Sequence, residues 1–178
     1  MRKLRNDELG RLDVANFKKA PKVPFVVVLD NVRSLNNIGS AFRTSDAFCV
    51  EAVYLCGITA TPPHREIHKT ALGATDSVDW KYFESTMEAV HTLKNEGYRI
   101  VAVEQADESI DLRDFVPKSD GKYALVFGNE IKGVEEKVVQ QADGVIEIPQ
   151  FGTKHSLNIS VSIGVVLWDL TMKWRNID

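Results

Sequence analysis

Ile146-Glu147-Ile148-Pro149-Gln150-Phe151-Gly152-Thr153-Lys154-His155-Ser156-Leu157-Asn158-Ile159-Ser160-Val161-Ser162-Ile163-Gly164 decides the fold, because its second half reads two ways. It opens as a short apolar strand. Pro149 stops that strand, since proline has no N–H to give a sheet ladder. Gly152 then permits a turn that other residues resist. Beyond it Ser156, Asn158, Ser160 and Ser162 alternate with Leu157, Ile159, Val161 and Ile163, the pattern of a half-buried strand. The apolar run continues through Val165, Val166, Leu167 and Leu170, too long for an ordinary strand. Wound as a helix, Ser156, Ser160 and Gly164 recur at i, i+4 and i+8 as a small-residue stripe beside Leu157, Val161, Val165 and Trp168. Such a stripe lets another backbone come close. Ser156 would sit near the helix N-terminus, where free N–H groups and the dipole favour polar or anionic ligands. The helix is either a buried C-terminal element with nothing bound or the floor of a ligand site, and this stretch alone supports both.

Upstream the chain alternates strands and helices. Phe25–Asp30 is a continuous apolar run, as expected of a strand covered on both faces. A polar loop, Asn31 to Asn37, leads to a helix over about Ile38–Phe48 with Asn36 or Asn37 as its cap. Further strands are expected at Ala52–Cys56, Val78–Phe83, Arg99–Val103, Tyr123–Phe127 and Gly144–Ile148. Helices are expected at Arg65–Leu72, from Ser85 to Asn95 with Gly97 as its stop, and at Val134–Gln141. Thr59–Pro63 reads as a turn-rich loop, and the residues around Asp107, Glu108, Asp111 and Asp114 as an acidic one. The pattern predicts an α/β domain with a mostly parallel sheet and helices on both faces. In such sheets ligands sit at the carboxyl ends of the strands. The unusual polar loops follow Leu29, Phe127 and Ile148, all at such ends.

Composition bounds the function. At 178 residues the chain is one domain's worth, with 44% hydrophobic and 26% charged residues, as in an ordinary globular protein. No apolar run has the length of a membrane span, and the charged start Met1–Asp7 lacks the apolar core of a signal peptide. Cys49 and Cys56 are too few for a disulfide framework and lack zinc-site spacing, so a cytoplasmic protein with buried thiols is expected. Net charge is −3, yet residues 1–22 hold seven Lys/Arg against three Asp/Glu, a net of +4 on a body that carries −7. Such a basic arm can bind RNA through a local patch, or can be only a frayed terminus.

Each polar loop carries a small constellation. Asn37-Ile38-Gly39-Ser40-Ala41-Phe42-Arg43 has a glycine that would admit a ligand or another backbone. One turn on, Arg43 would point a fixed fork of donors toward the loop, suited to a phosphate, or would sit in a surface salt bridge. Phe127-Gly128-Asn129-Glu130-Ile131-Lys132-Gly133 matches neither a G-x-G-x-x-G nor a Gly-Lys-Ser/Thr phosphate signature, and Glu130 could simply face a helix dipole. Adjacent His155 and Ser156 make no hydrolase dyad. His64 and His68 are four apart but lack the H-E-x-x-H glutamate and a third ligand, so no metal site is expected.

Taken in order, the three loops resemble the motifs of the SpoU (TrmH-like) family of RNA ribose 2′-O-methyltransferases, part of the SPOUT superfamily. Asn37–Arg43 is similar to its first motif, Phe127–Gly133 to its second, and Ile148–Gly152 with Ser156–Ser160 to its third. The likeness runs from about Pro24 to Trp168, and Lys69–Ala74 resembles another recurrent family segment. The resemblance implies a domain over residues 24–178 behind a basic arm at 1–23, and a C-terminal trefoil knot that general topology rules would not suggest. It also implies a helix after the third motif, a homodimer with its active site at the subunit interface, S-adenosyl-L-methionine as cofactor and no metal. The substrate would be tRNA, which suits a compact chain, or rRNA.

By the same resemblance Arg43 would bind the phosphate beside the target ribose, with Asn37, Glu130, Ser156 and Asn158 completing the catalytic pocket. Val103, Glu104, Gly128, Ile148, Ser156 and Leu157 would hold the cofactor. Arg33, Arg43, His64, Arg65, Lys69, Lys132 and Lys154 would contact RNA. The alternatives are a base methyltransferase of the same superfamily, a non-catalytic RNA- or cofactor-binding protein, and a generic nucleotide-binding Rossmann domain, against which the missing glycine fingerprint argues.

Overall fold

The computed structural model describes residues 1–176, the side chain of Asn6 excepted; residues 177 and 178, the end of the expected domain, lie outside the described residues. Its centre is β1 (Val23–Asp30), where all residues but Pro24 are buried. The pleat divides them between two cores. Phe25, Val27 and Leu29 pack into one hydrophobic cluster, Val26 and Val28 into the other. A run this apolar is stable only with helices on both sides.

Seven strands form one sheet in the order β3-β2-β1-β6-β4-β7-β5, and every pairing is parallel. They are β2 (Val50–Cys56), β3 (Asp79–Phe83), β4 (Tyr98–Val103), β5 (Ile110–Asp111), β6 (Lys122–Phe127) and β7 (Gly144–Glu147). One face is covered by α2 (Leu35–Ala47) and the long α7 (Ile159–Arg175), which pack on each other. Short α3 (Arg65–Ala71) and α4 (Ala74–Ser77) extend that layer. α5 (Thr86–Asn95) and α6 (Glu136–Gln141) cover the other face. Within the basic segment a 3-10 turn at Asn6–Leu9 precedes α1 (Val14–Lys19), which is anchored by buried Phe17.

The sheet is wholly parallel rather than mostly so. The acidic loop contains the two-residue β5, whose alternation is too short to read against its charged neighbours. α2 starts three residues before its expected start and is capped by Ser34, whose hydroxyl accepts from the Asn37 N–H; neither Asn36 nor Asn37 is the cap. α4 was not foreseen. α6 begins at Glu136, two residues later than expected, because the Val134 N–H is held by the Glu104 carboxylate at 2.8 Å. The alternating stretch is helical, but only from Ile159, with Asn158 as cap: its side chain accepts from the Ser160 N–H. Ser156 and Leu157 therefore precede the helix. Gly164 has open space where a Cβ would point, so among the described residues no backbone packs closely against it. Gly152 is not among the residues with positive φ, and its turn does not require a glycine.

Candidate active site

The site begins at the carboxyl end of β1. Asp30 ends an otherwise apolar strand and is fully buried. Its carboxylate accepts from the Thr86 hydroxyl, the Asn31 side-chain amide and the Glu135 N–H at 2.7 Å. A buried carboxylate is stable only when so satisfied, and here it ties three strand-end loops together. Sequence reading overlooked Asp30. The available signal was one acid closing the apolar run Phe25–Leu29.

The second loop folds back on itself. Asn129 and Gly133 exchange backbone hydrogen bonds of 2.9 Å each way. The Asn129 side chain donates to Asn31 O at 2.7 Å and accepts from the Ile131 and Lys132 N–H groups. Gly128 is required here: a Cβ on it would lie 2.0 Å from Gly133 C and 2.1 Å from Val134 N. Gly133 has φ +68°, and a Cβ there would strike the Glu104 carboxylate. That carboxylate accepts from Val134 and Gln105 N–H, so the Glu104 side chain holds the loop.

Glu130 at the tip reaches across to the first loop. Its carboxylate accepts from Arg33 N–H at 3.1 Å, Ser34 N–H at 2.9 Å and the Asn37 side-chain amide at 3.2 Å. Burial pushes its pKa up, but the backbone N–H groups of Arg33, Ser34 and Glu130 itself, with Asn37, outweigh that and leave the carboxyl below its ordinary value. Glu130 is thus a clamp between the first two motif loops, not a helix-dipole acid.

The third loop, residues 151–158, is exposed throughout. It is tied down where the Gln105 side-chain amide donates to His155 O at 2.9 Å. Where the three loops meet lies an open cleft of about 820 Å³. All six residues expected to hold a cofactor (Val103, Glu104, Gly128, Ile148, Ser156 and Leu157) line it, with Glu130, Lys132 and Asn158. It also has backbone carbonyls and amides from strand ends and glycine-lined walls, which suit a ligand with both polar and apolar parts.

Other expected site residues lie elsewhere. Asn37 touches the site through Glu130 but does not line the cleft. Arg43 does not line it either. It sits six residues beyond Asn37, roughly 240° around the helix, is exposed, and makes no hydrogen bond or ion pair among the described residues. It therefore does not point back at its own loop. Gly39 admits another backbone, that of α3: a Cβ would lie 2.4 Å from Ile67 O. Arg33 contributes its N–H, while His64, Arg65 and Lys69 lie exposed at or on α3, and Lys154 lies exposed on the third loop. Among the described residues no group of three or more His, Cys, Asp or Glu could hold a metal, and no helix is long and apolar enough to cross a membrane. Cys56 is buried, its thiol pushed up to about 12 mainly by that burial; Cys49 is only half-buried.

Comparison with known proteins gives the same picture. The profile of the SpoU rRNA Methylase family matches residues 24–168. The tRNA (guanosine(18)-2′-O)-methyltransferase of Aquifex aeolicus is 35% identical over 150 residues, 81% of this chain and 67% of that one. The crystal structure of an A. aeolicus TrmH/SpoU tRNA modifying enzyme superposes with a TM-score of 0.78 at 28% identity, covering 91% of this chain and 80% of that one. An AdoMet-bound rRNA methyltransferase from Sinorhizobium meliloti gives a TM-score of 0.77 at 26% identity over 86% of this chain and 58% of that one. The chain spans 56 to 67% of the length of the curated relatives it matches. With the profile covering the glycine-walled 128–133 loop and the Asn158 cap with the first turns of α7, the chain belongs to the SpoU rRNA methylase family.

Proposed function

We propose that this protein transfers a methyl group from S-adenosyl-L-methionine to a ribose 2′-hydroxyl of tRNA or rRNA. The observation that carries the reading is the single cleft that gathers Val103, Gly128, Ile148, Ser156, Leu157 and Asn158 from three distant stretches of chain. The cofactor fits this donor set. Gly128 and Gly133 leave no room for a Cβ and keep the wall at backbone level, and the strand-end carbonyls and amides can pair with an adenine edge and a methionine headgroup. When bound, the cofactor supplies an electrophilic methyl carbon.

A ribose hydroxyl is a weak nucleophile until its proton is polarised. An arginine stays protonated and is no base. Arg43 instead holds the phosphate beside the target ribose in its fork of donors, which orients the hydroxyl and makes that phosphate the acceptor of its proton. Glu130 and Asn37 hold the first and second loops in register, and Ser156 and Asn158 position the ribose at the cleft.

Because Arg43 does not line the cleft of its own chain, the reading includes a homodimer in which a partner's Arg43 reaches this cleft. The exposed side of α7 supports a second copy. Val161, Val165 and Trp168 are 50, 38 and 58% exposed on the side opposite the buried Ile163, Val166 and Leu170. A helix apolar all round is normally covered. The reading also includes a trefoil knot. Its support is that β7 lies between β4 and β5, which are successive in the chain, so the 104–122 segment passes around the strand that enters after it. The division into a basic arm at 1–23 and a domain from 24 onward, an RNA contact by that arm, and a cytoplasmic location belong to the same proposal.

The test is label transfer from radioactive S-adenosylmethionine to total RNA. Wild type labels RNA, and Arg43→Ala and Gly128→Ala each lose at least most of the label. Co-expressed Arg43→Ala and Gly128→Ala chains recover part of it, since a mixed dimer holds one intact site. No label from wild type with any RNA would overturn the reading.

A further inference from the structure

A second, smaller cleft lies at the opposite flank of the sheet, beside the edge strand β3. Its volume is about 250 Å³. Pro62, Pro63 and Trp80 form its apolar walls, and His64, His68 and Asp76 bring polar atoms to it. β3 is four strands from β4 and three from β6, roughly 14–19 Å at ordinary strand spacing, so this cleft is separate from the cofactor cleft of the same chain.

The groups around it form a recognisable set. Trp80 offers a flat aromatic wall on which a base can stack. The Asp76 backbone N–H is spent on Gly73 O, while its exposed carboxylate has no side-chain partner among the described residues. An ionised carboxylate only accepts, through two oxygens side by side. The His64 Nδ1 accepts from the Glu66 N–H at 3.2 Å, which puts the proton of the neutral ring on Nε2 as a donor. Two adjacent acceptors and one donor complement guanine, whose pairing edge presents N1–H and N2–H₂ beside the O6 acceptor. Adenine offers no such pair of donors. Arg65 and Lys69, each next in sequence to a lining histidine, are exposed cations, the latter only 3.9 Å from Glu66 in an exposed and therefore weak pair. They can offset the repulsion between Asp76 and nearby phosphates. A cleft below the usual size of a small-molecule site suits one planar base better than a whole nucleotide cofactor.

We propose that this cleft binds an unstacked guanine of the RNA substrate, at a nucleotide other than the one methylated in the same chain's cleft. Asp76 accepts from N1–H and N2–H₂, His64 Nε2 donates to O6, and Trp80 stacks on the ring. This rests on the reading that the protein binds RNA. It makes Asp76 a residue that selects the substrate without touching the reacting atoms.

The test is equilibrium binding of fluorescein-labelled 15-nucleotide single-stranded RNAs to the full-length protein. One is all uridine, one carries a single central guanosine, and one carries inosine there, which lacks the 2-amino group. The guanosine RNA is expected to bind about tenfold more tightly than the all-uridine RNA, the order of one bidentate base contact, with inosine between them. Asp76→Asn is expected to abolish that preference while all-uridine binding and S-adenosylmethionine binding hold. Trp80→Leu is expected to weaken guanosine binding, and a melting curve checks that it folds. Equal binding of all three RNAs, or a preference that survives Asp76→Asn, would overturn the inference and leave the RNA reading intact. Failure of every RNA to bind would overturn both. Variants that change only sedimentation would overturn the inference alone, since the cleft would then be a contact between protein chains.

Discussion

Replacing Gly128 by alanine adds one methyl group at the tightest point of the cofactor cleft. Its Cβ would start 2.0 Å from Gly133 C, 2.1 Å from Val134 N and 2.4 Å from Gly133 O, all backbone atoms that no rotamer change can move. Restoring ordinary contact requires the 128–134 loop to open by about 1–1.4 Å, and overpacking of this kind costs about 1–3 kcal/mol. The strain appears in one of two places. If the free protein keeps its loop closed, the melting temperature falls by roughly 2–12 °C, at about 2–4 °C per kcal/mol for a chain of this size. If the loop relaxes open, the strain must be restored on binding, and the dissociation constant for S-adenosylmethionine rises roughly 5- to 150-fold. Calorimetric titration with the cofactor and a melting curve on the same sample separate the two. Gly128 is not in a positive-φ conformation, so the effect is steric and Gly128→Ser should be no better than Gly128→Ala. Unchanged affinity together with unchanged melting would refute the assignment of this loop as the cofactor wall.

Asp30→Ala leaves the Glu135 N–H and the Thr86 hydroxyl without their acceptor, and should lower stability in urea by about 1–3 kcal/mol, with Asp30→Asn recovering part of it. The lowered pKa of Glu130 means that its contribution is fully present above the ordinary carboxyl value of 4.5 and is lost as pH falls through its lower folded value. Hydrogen exchange at the Arg33 and Ser34 amides, corrected for intrinsic rates, should therefore accelerate in that acid window, and Glu130→Gln should flatten the change. Trp168→Glu on the exposed face of α7 should shift the protein to a monomer in sedimentation and remove RNA methylation while the chain still melts cooperatively.

The fold class was legible because Phe25–Asp30 and its counterparts are short apolar runs separated by helix-length segments. Strand boundaries slipped by a residue or two, and β5 was invisible, since two residues carry no period. The third motif could not be assigned from its alternation: Ser160, Ser162 and Gly164 fall within α7, where polar side chains are tolerated on the partly exposed turns. The residues that the family resemblance implies for the cofactor line one cleft, because motif loops at strand ends converge whatever their separation in sequence. The tertiary hydrogen bonds themselves were not legible, those of Asp30 and of the Glu104 side chain above all. Beyond the place of Asp30 at the end of an apolar run, nothing local distinguishes a carboxylate that clamps a loop from one in solvent. Arg43 does not face its own loop, since six residues along a helix turn a side chain well away from Asn37.

The most direct test of ribose methylation is nucleoside mass spectrometry of RNA incubated with the protein and S-adenosylmethionine carrying a trideuterated methyl group. The account predicts a 2′-O-methyl nucleoside heavier by the labelled group, resistant to alkaline cleavage at its 3′ phosphodiester and absent with Arg43→Ala. A label found on a base, or a ribose label that persists in Arg43→Ala, would contradict it.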